Sequence, residues 1–342
     1  MLKNVLAGIV IIASAAALAH AQGGQGGGRG RGGQNENFPT AQQFAASKQT
    51  QQHIATAMKI AGSDLVPEAK AFCTPTGPQR PALARQAAGL APEPDRLLEP
   101  IRMFENLYYV GFSDVGAWVI PTSDGIILFD ALNNADEGRD VLSGGVKKIG
   151  LDPAQIKYLI IGHGHNDHTG GGLYVQNTYK PRILMGAPDW ATVVAGERPD
   201  RPVMKRDMDA TDGQKVTVGD TTVTIVTTPG HTEGAIALIF PVKEKGRAYN
   251  ALLLSGANQT PNPASLAAFE KALATAKREK AALLLNGHPG LFGDEIGWME
   301  AIRKNPAGPN PFVYGEARFA RFIDIMTECA RARIAAMRYK PS

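Results

Sequence analysis

Residues 158–170 read Y-L-I-I-G-H-G-H-N-D-H-T-G. The opening run, Tyr158–Ile161, is short, apolar and partly β-branched, which predicts a buried strand. It stops at Gly162, and His163, His165, Asp167 and His168 follow at once. Imidazole and carboxylate are ligand types that suit zinc. Two more histidines stand in the same kind of place. His231 lies in T-T-P-G-H-T-E-G (227–234), after the apolar Val223–Val226, and His288 lies in L-N-G-H-P-G (285–290), after Leu283–Leu285. Strand ends on one sheet edge are where α/β folds gather ligand sites. Glycines beside each histidine let the backbone turn tightly and approach an ion. His163 and His165 can face one ion while Asp167 and His168 turn toward another. His231 and His288 then complete three ligands at each. The expected cofactor is zinc, two ions per chain, with a single ion as the alternative. Two ions about 3.5–4 Å apart can share a hydroxide. Of the seven histidines, only His20 and His53 stand outside this set. His53 falls in a helical stretch, where a surface position is expected.

Around this motif the strands come first in hairpin rhythm. Leu107–Gly111, Ala117–Ile120 and Gly125–Phe129 are short apolar segments between turn residues, and Glu137–Ile149 reads as a helix. Further strands are expected at Arg182–Met185, Lys215–Val218, Thr222–Val226, Ile236–Phe240, Ala251–Leu254 and Ala282–Leu285. Helices fit Ser265–Lys277 and Gly315–Met337. On the last, Phe319, Phe322, Ile323, Met326, Cys329 and Ile334 recur at helical spacing, so that face is core. Strands followed by strand–helix alternation suggest an α/β fold with two mixed sheets between helices. Ala195–Asp212 is a polar, proline-bearing insert that reads equally as a loop over a cleft or as a solvated surface loop. Trp190 and Trp298 are expected in the core rather than in a pocket. Ser255 and Ser265 have no nucleophile motif around them and read as structural.

The chain has 342 residues, 44% of them hydrophobic and 20% charged, which supports a sizeable core and excludes a mainly disordered chain. Of the net charge of +4, Lys3, Arg29 and Arg31 supply three, so residues 34–342 carry about +1. No nucleic-acid-binding face is implied. Residues 1–21 read as a secretory signal: Lys3, then apolar Val5–Ala19, then Ala19-His20-Ala21 as a cleavage site. The expected location is secreted or periplasmic, with no membrane span after cleavage. Residues 22–34 form a Gly-rich linker. Residues 35–97 form an N-terminal extension, helical over 40–61 and then broken by Pro67, Pro75, Pro78 and Pro81. Residues 98–342 form the main domain with its C-terminal helix. Cys73 and Cys329 are the chain's two cysteines. An oxidising compartment permits a bridge between extension and C-terminal helix, the alternative being two buried thiols that never meet.

The sequence resembles the metallo-β-lactamase superfamily and its αβ/βα sandwich, on H-G-H-N-D-H at 163–168 and across about 100–305. Within it, the all-histidine first site and the missing sulfur ligand make it most like the third subclass of class B β-lactamases. The resemblance implies that His163, His165 and His231 hold a first zinc, and Asp167, His168 and His288 a second. It also implies that Asp130, ending I-I-L-F-D, supports the metal loop from behind. Many superfamily hydrolases place a metal-bridging aspartate where this chain has Ala257, in L-L-L-S-G-A. That departs from the glyoxalase II, lactonase and RNase Z types. The third β-lactamase subclass places there a serine that helps hold the drug's carboxylate. Asn258, Gln259 and Asn262 are the candidates to substitute for it. The implied activity is zinc-dependent hydrolysis of a small-molecule substrate, a β-lactam amide, by a metal-bound hydroxide that Asp167 orients. The alternatives are a hydrolase of esters, lactones or other amides, and a zinc-binding protein without catalysis. Oligomeric state is not legible.

Overall fold

Strands form where the apolar runs are, and their order puts the histidine-bearing ends along one edge. The computed structural model describes residues 38–79, 95–256 and 261–340. The expected signal sequence and linker, residues 1–34, lie outside them, as do Ala257, Asn258 and Gln259. The first sheet is built from β1 (Leu97–Phe104), β2 (Leu107–Phe112), β3 (Gly116–Thr122), β4 (Gly125–Phe129), β5 (Ile156–Ile160), β6 (Arg182–Gly186) and β7 (Met208–Ala210), in that spatial order. Pairing is antiparallel from β1 to β4 and parallel from β4 to β7. The second sheet runs β12-β11-β10-β9-β8, from β8 (Lys215–Val218), β9 (Thr221–Thr227), β10 (Ile236–Glu244), β11 (Arg247–Leu254) and β12 (Ala281–Asn286). Only its β11–β12 pair is parallel.

The helices are α1 (Ala41–Ala46), α2 (Lys48–Ala61) and α3 (Val66–Phe72), then α4, which runs through Ala135–Glu137, a π-helical turn Gly138–Ser143 and Gly144–Lys148. After them come α5 (Asn166–Thr169), α6 (Gly172–Tyr179), α7 (Ala187–Ala195), α8 (Pro263–Arg278), α9 (Glu295–Lys304) and α10 (Glu316–Arg338).

Both sheets are covered on both faces. Tyr109, Trp118, Ile127, Phe129 and Ile160 of the first sheet meet Val223, Ile225, Leu238, Phe240 and Leu253 of the second in the central core. The other face of the first sheet packs Val119, Leu128, Leu159 and Ile183 against Leu142, Val146, Val175 and Trp190 from α4, α6 and α7. The other face of the second sheet packs Ile239, Leu252, Leu254 and Leu284 against Phe269, Leu273, Phe322 and Met326 from α8 and α10. The architecture is an αβ/βα sandwich. Burial on both faces explains why β12 reads as an unbroken apolar run rather than an alternating one. Among the described residues no helix is long and apolar enough to cross a membrane.

The extension lies on α10. Ala57 and Ala61 of α2 and Phe72 of α3 join the core under α10, and Thr50 Oγ1 donates to Ala332 O at 3.1 Å. Arg318 and Arg321 pair with Asp64, and Cys73 and Cys329 are joined in a disulfide. Four expectations need correction. Pro67 does not break a helix but stands in the first turn of α3, where its missing N–H costs nothing. His53 is not a free surface residue, because its Nδ1 bonds Glu328 Oε2 at 2.7 Å between α2 and α10. The first sheet begins at Leu97 rather than near Leu107. Pro100 sits at an edge-strand irregularity between Leu98 and Ile101, one of the few places in a sheet that tolerates proline. The 195–212 insert is not all loop, since β7 within it extends the first sheet. Trp190 is core, its Nε1 donating to Met208 O at 2.8 Å.

Candidate metal centre

β4, β5 and β6 run parallel, so their carboxyl ends share one edge of the first sheet. β9, β11 and β12 run in a common direction and bring theirs to the second. The loops at these ends carry the six candidate ligands. The loop after β5 leads through His163 and His165 into α5, which carries Asp167 and His168. The loop after β9 carries His231 and the loop after β12 carries His288.

The side chains converge in two groups. His163, His165 and His231 bring ligand atoms within 4.8 Å of one another, and so do His163, Asp167 and His168. His163 Nε2 lies 3.1 Å from His165 Nδ1. His168 Nε2 lies 3.1 Å from His288 Nε2. Asp167 Oδ2 is 3.5 Å from His288 Nε2 and 3.9 Å from His168 Nε2. A tetrahedral zinc with nitrogen ligands at about 2.0–2.1 Å sets neighbouring ligand atoms about 3.3 Å apart. The spacing here brackets that edge length, so the donor set fits two such ions. His163, His168 and His288 form a buried wall, while His165 is exposed and His231 and Asp167 are half-buried. The centre is therefore closed behind and open in front, as a site that admits substrate requires.

Each buried imidazole is fixed through its outer nitrogen. His163 Nδ1 bonds Ser255 Oγ at 2.6 Å, His168 Nδ1 bonds Asp130 Oδ2 at 2.7 Å, and His288 Nδ1 bonds Asp114 O at 2.6 Å. These partners leave Nε2 of each ring turned to the centre. Burial, reinforced by the neighbouring imidazoles, holds His163 well below its ordinary pKa, so it is a neutral lone-pair donor. Asp130 has φ 64°, a left-handed conformation that costs about 1 kcal/mol outside glycine. The bend aims its carboxylate at two partners, His168 and the Gly162 N–H at 2.8 Å. Burial raises the Asp130 carboxyl, against the pull of His168 and Gly162. Glycine suits position 162, because a Cβ there would collide with Ser255 and with Phe129 Cζ.

Three supporting residues had escaped the sequence. Ser255 is structural as expected, and what it orients is the candidate ligand His163. Asp189, at the start of α7, is buried and accepts from Gly164 N–H at 2.7 Å, Thr232 Oγ1 at 2.6 Å and Gly234 N–H at 3.0 Å. It thus ties the His163–His165 loop to the His231 loop. A Cβ on Gly234 would lie 2.7 Å from Asp189 Cγ, so this approach also needs glycine. Glu295, at the start of α9, is buried and accepts from Asn286 Nδ2 at 2.9 Å and Gly290 N–H at 2.7 Å, around His288. Asn262 begins α8 as its N-cap, its Oδ1 accepting from Ser265 N–H at 2.9 Å. Asn258 and Gln259 lie outside the described residues. The 195–212 insert does reach the site, where Arg198 and Arg201 pair across a tight turn and the Arg201 guanidinium donates to Asn166 Oδ1, between His165 and Asp167.

A family model described as the metallo-beta-lactamase superfamily matches residues 110–244, which take in His163, His165, Asp167, His168 and His231. Over those residues the chain is similar to the metallo-beta-lactamase superfamily. Similar solved structures are subclass B3 metallo-beta-lactamases. BJP-1 of Bradyrhizobium japonicum is 27% identical at TM-score 0.55, over 67% of this chain and 90% of that one. FEZ-1 of Legionella gormanii shares the fold at TM-score 0.57 and 24% identity, over 68% of this chain and 93% of that one. An N-acyl homoserine lactonase, AttM of Azorhizobium caulinodans, is 32% identical over 111 residues. That match spans 30% of this chain and 42% of the relative.

Proposed function

We propose that this metallo-beta-lactamase-fold domain is an exported hydrolase with two zinc ions, acting on the amide of a β-lactam. The carrying observation is the pair of sulfur-free groups, His163/His165/His231 and His163/Asp167/His168, with His288 Nε2 standing 3.1 Å from His168 Nε2 and 3.5 Å from Asp167 Oδ2, in a chain similar to the subclass B3 enzyme BJP-1. When bound, two such ions would polarise a substrate carbonyl and make a water nucleophilic near neutral pH. The rest is supplied by the chain. The open side at His165 and His231 is the direction from which substrate enters. Asp167 stands at that mouth beside both ligand groups, where its carboxylate can accept a proton from an attacking water and orient it. Ser255, Asp130 and the Asp114 carbonyl hold the imidazoles so that no ligand must reorganise during turnover. No serine or cysteine nucleophile is needed.

The test is hydrolysis of a chromogenic cephalosporin and a carbapenem by the purified chain, with and without a chelator. Chelator-sensitive turnover above about 10⁴ M⁻¹s⁻¹ in kcat/KM supports the reading. Asp167→Ala should abolish it with the fold intact. A second reading is lactone hydrolysis, favoured by the likeness to the AttM lactonase. It predicts that zinc-loaded protein opens an acyl homoserine lactone and leaves both β-lactams untouched. Export is supported by the leader-like residues 1–21 and by the Cys73–Cys329 bridge, which suits an oxidising compartment. N-terminal sequencing of the exported product should begin at Gln22.

A further inference from the structure

The His288 loop is built around a carboxylate that touches no ligand. Between β12 and α9, Asn286 Oδ1 accepts the His288 N–H at 2.7 Å, and Asn286 Nδ2 donates to Glu295 Oε1 at 2.9 Å. Glu295 Oε2 accepts the N–H groups of Gly290 at 2.7 Å and Phe292 at 3.3 Å. One buried acid therefore holds the loop on both sides of His288. The anchoring continues into the first sheet, where Trp118 Nε1 donates to Asn286 O at 2.9 Å and Gly116 N–H donates to Gly287 O at 3.0 Å. His288 Nδ1 is fixed independently on Asp114 O.

We propose that Glu295 is a positioning residue for the second metal site, setting through Asn286 where His288 Nε2 stands and hence how tightly that site alone binds its ion. The inference rests on the metal-centre reading above and adds a residue to it. Its physical content is donor–acceptor arithmetic. The partners named here meet Glu295 with donors only, and a carboxylate accepts from all of them. A glutamine cannot. With its oxygen on Gly290 and Phe292, its NH2 faces the Asn286 NH2. Flipped, its NH2 faces two backbone N–H groups. Either way a buried donor is orphaned and the loop must shift. The paired exchange Asn286→Asp/Glu295→Gln escapes this. There the introduced amide donates to one oxygen of the introduced carboxylate, while its own oxygen accepts from Gly290 and Phe292. The other oxygen of that carboxylate still accepts the His288 N–H.

The experiment is competitive zinc titration against a chromophoric chelator, with metal analysis and the Co²⁺ absorption spectrum as separate readouts. Wild-type protein must first bind two equivalents, and fewer would sink the metal-centre reading rather than this inference. Glu295→Gln should weaken the second equivalent 10–100-fold, the usual effect of losing a ligand's outer support, and leave the first within about threefold. Asn286→Asp/Glu295→Gln should restore the second to within about threefold. Wild-type affinity at both sites in Glu295→Gln, or equal weakening of both, would overturn the proposal. If Glu295→Gln does not fold, the double variant carries the test, and a folded double variant that binds only one equivalent overturns it as well.

Discussion

Asp189 is the residue whose replacement should say most about how the first metal site is held. It accepts three hydrogen bonds, with Gly164 and Thr232 on Oδ2 and Gly234 on Oδ1. Asp189→Asn keeps shape and volume but converts one oxygen to a donor. Thr232 can adapt, since a hydroxyl that donates to oxygen can turn and accept from NH2. The glycine amides cannot. If NH2 faces Gly164, that N–H is orphaned, and if it faces Gly234, the orphan is there. Losing one charge-assisted bond and stranding its donor costs about 3 kcal/mol. The two tethered loops carry His163, His165 and His231, so the first site should lose about 10–100-fold in zinc affinity. Urea unfolding of the metal-free protein gives the stability term, and chelator competition gives the affinity. Asp189→Ala should be worse on both, because it strands all three donors. Asp189→Asn with stability within about 0.5 kcal/mol of wild type and unchanged zinc affinity would refute the argument.

Other outcomes follow from the same contacts. Removing the Cys73–Cys329 bridge by paired alanine substitution opens a loop of 256 residues in separation; chain entropy puts the loss at about 5 kcal/mol, read from the urea midpoint, and a loss below about 1 kcal/mol would mean packing alone holds the extension. Ser255→Ala should cost about 1 kcal/mol and weaken the first zinc about tenfold, because His163 loses its outer partner. Gly162→Ala should lower zinc affinity more than Ser255→Ala does, since its Cβ collides with Ser255 and Phe129 together. Stripping metal with a chelator should lower the melting temperature, and zinc at about 100 times its dissociation constant should return about 2.7 kcal/mol.

What was legible in the sequence, and what was not, divides along a physical line. The candidate ligand cluster was legible because four ligand-type residues sit within six positions, and because His231 and His288 each follow an apolar strand. The sheets were legible where a strand is buried on both faces, as β12 and the Ile236–Phe240 run of β10 are, and where burial alternates along the strand, as in β9. β1 was not, because Pro100, Glu99 and Arg102 interrupt its apolar content at an edge where those residues are tolerated. α3 was missed because proline reads as a breaker unless the helix start is already known. Asp189 and Glu295 were illegible for a deeper reason. An acid in the first turn of a helix is the ordinary surface pattern, favoured by the helix dipole. Nothing within a few residues distinguishes one that turns inward. Asp189 is buried by the loops arriving from β5 and β9, both distant in sequence, and Glu295 by the loop from β12 folding back over the start of α9.

That geometry also explains why the supports are carboxylates. Three loops from separate strands must meet at the centre, and each exposes glycine N–H groups that no neighbouring strand satisfies. Asp130 takes Gly162, Asp189 takes Gly164 and Gly234, and Glu295 takes Gly290. A carboxylate is the one side chain that accepts several such donors at once without offering a donor in return. The cost is charge: these acids are nearly inaccessible, and burial pushes Glu295 up to about 7, against its bonds from Phe292, Asn286 and Gly290. Asp167 adds a further acid beside them. Two divalent cations between these loops would offset that buried negative charge, so filling the centre would stabilise the fold as well as arm it.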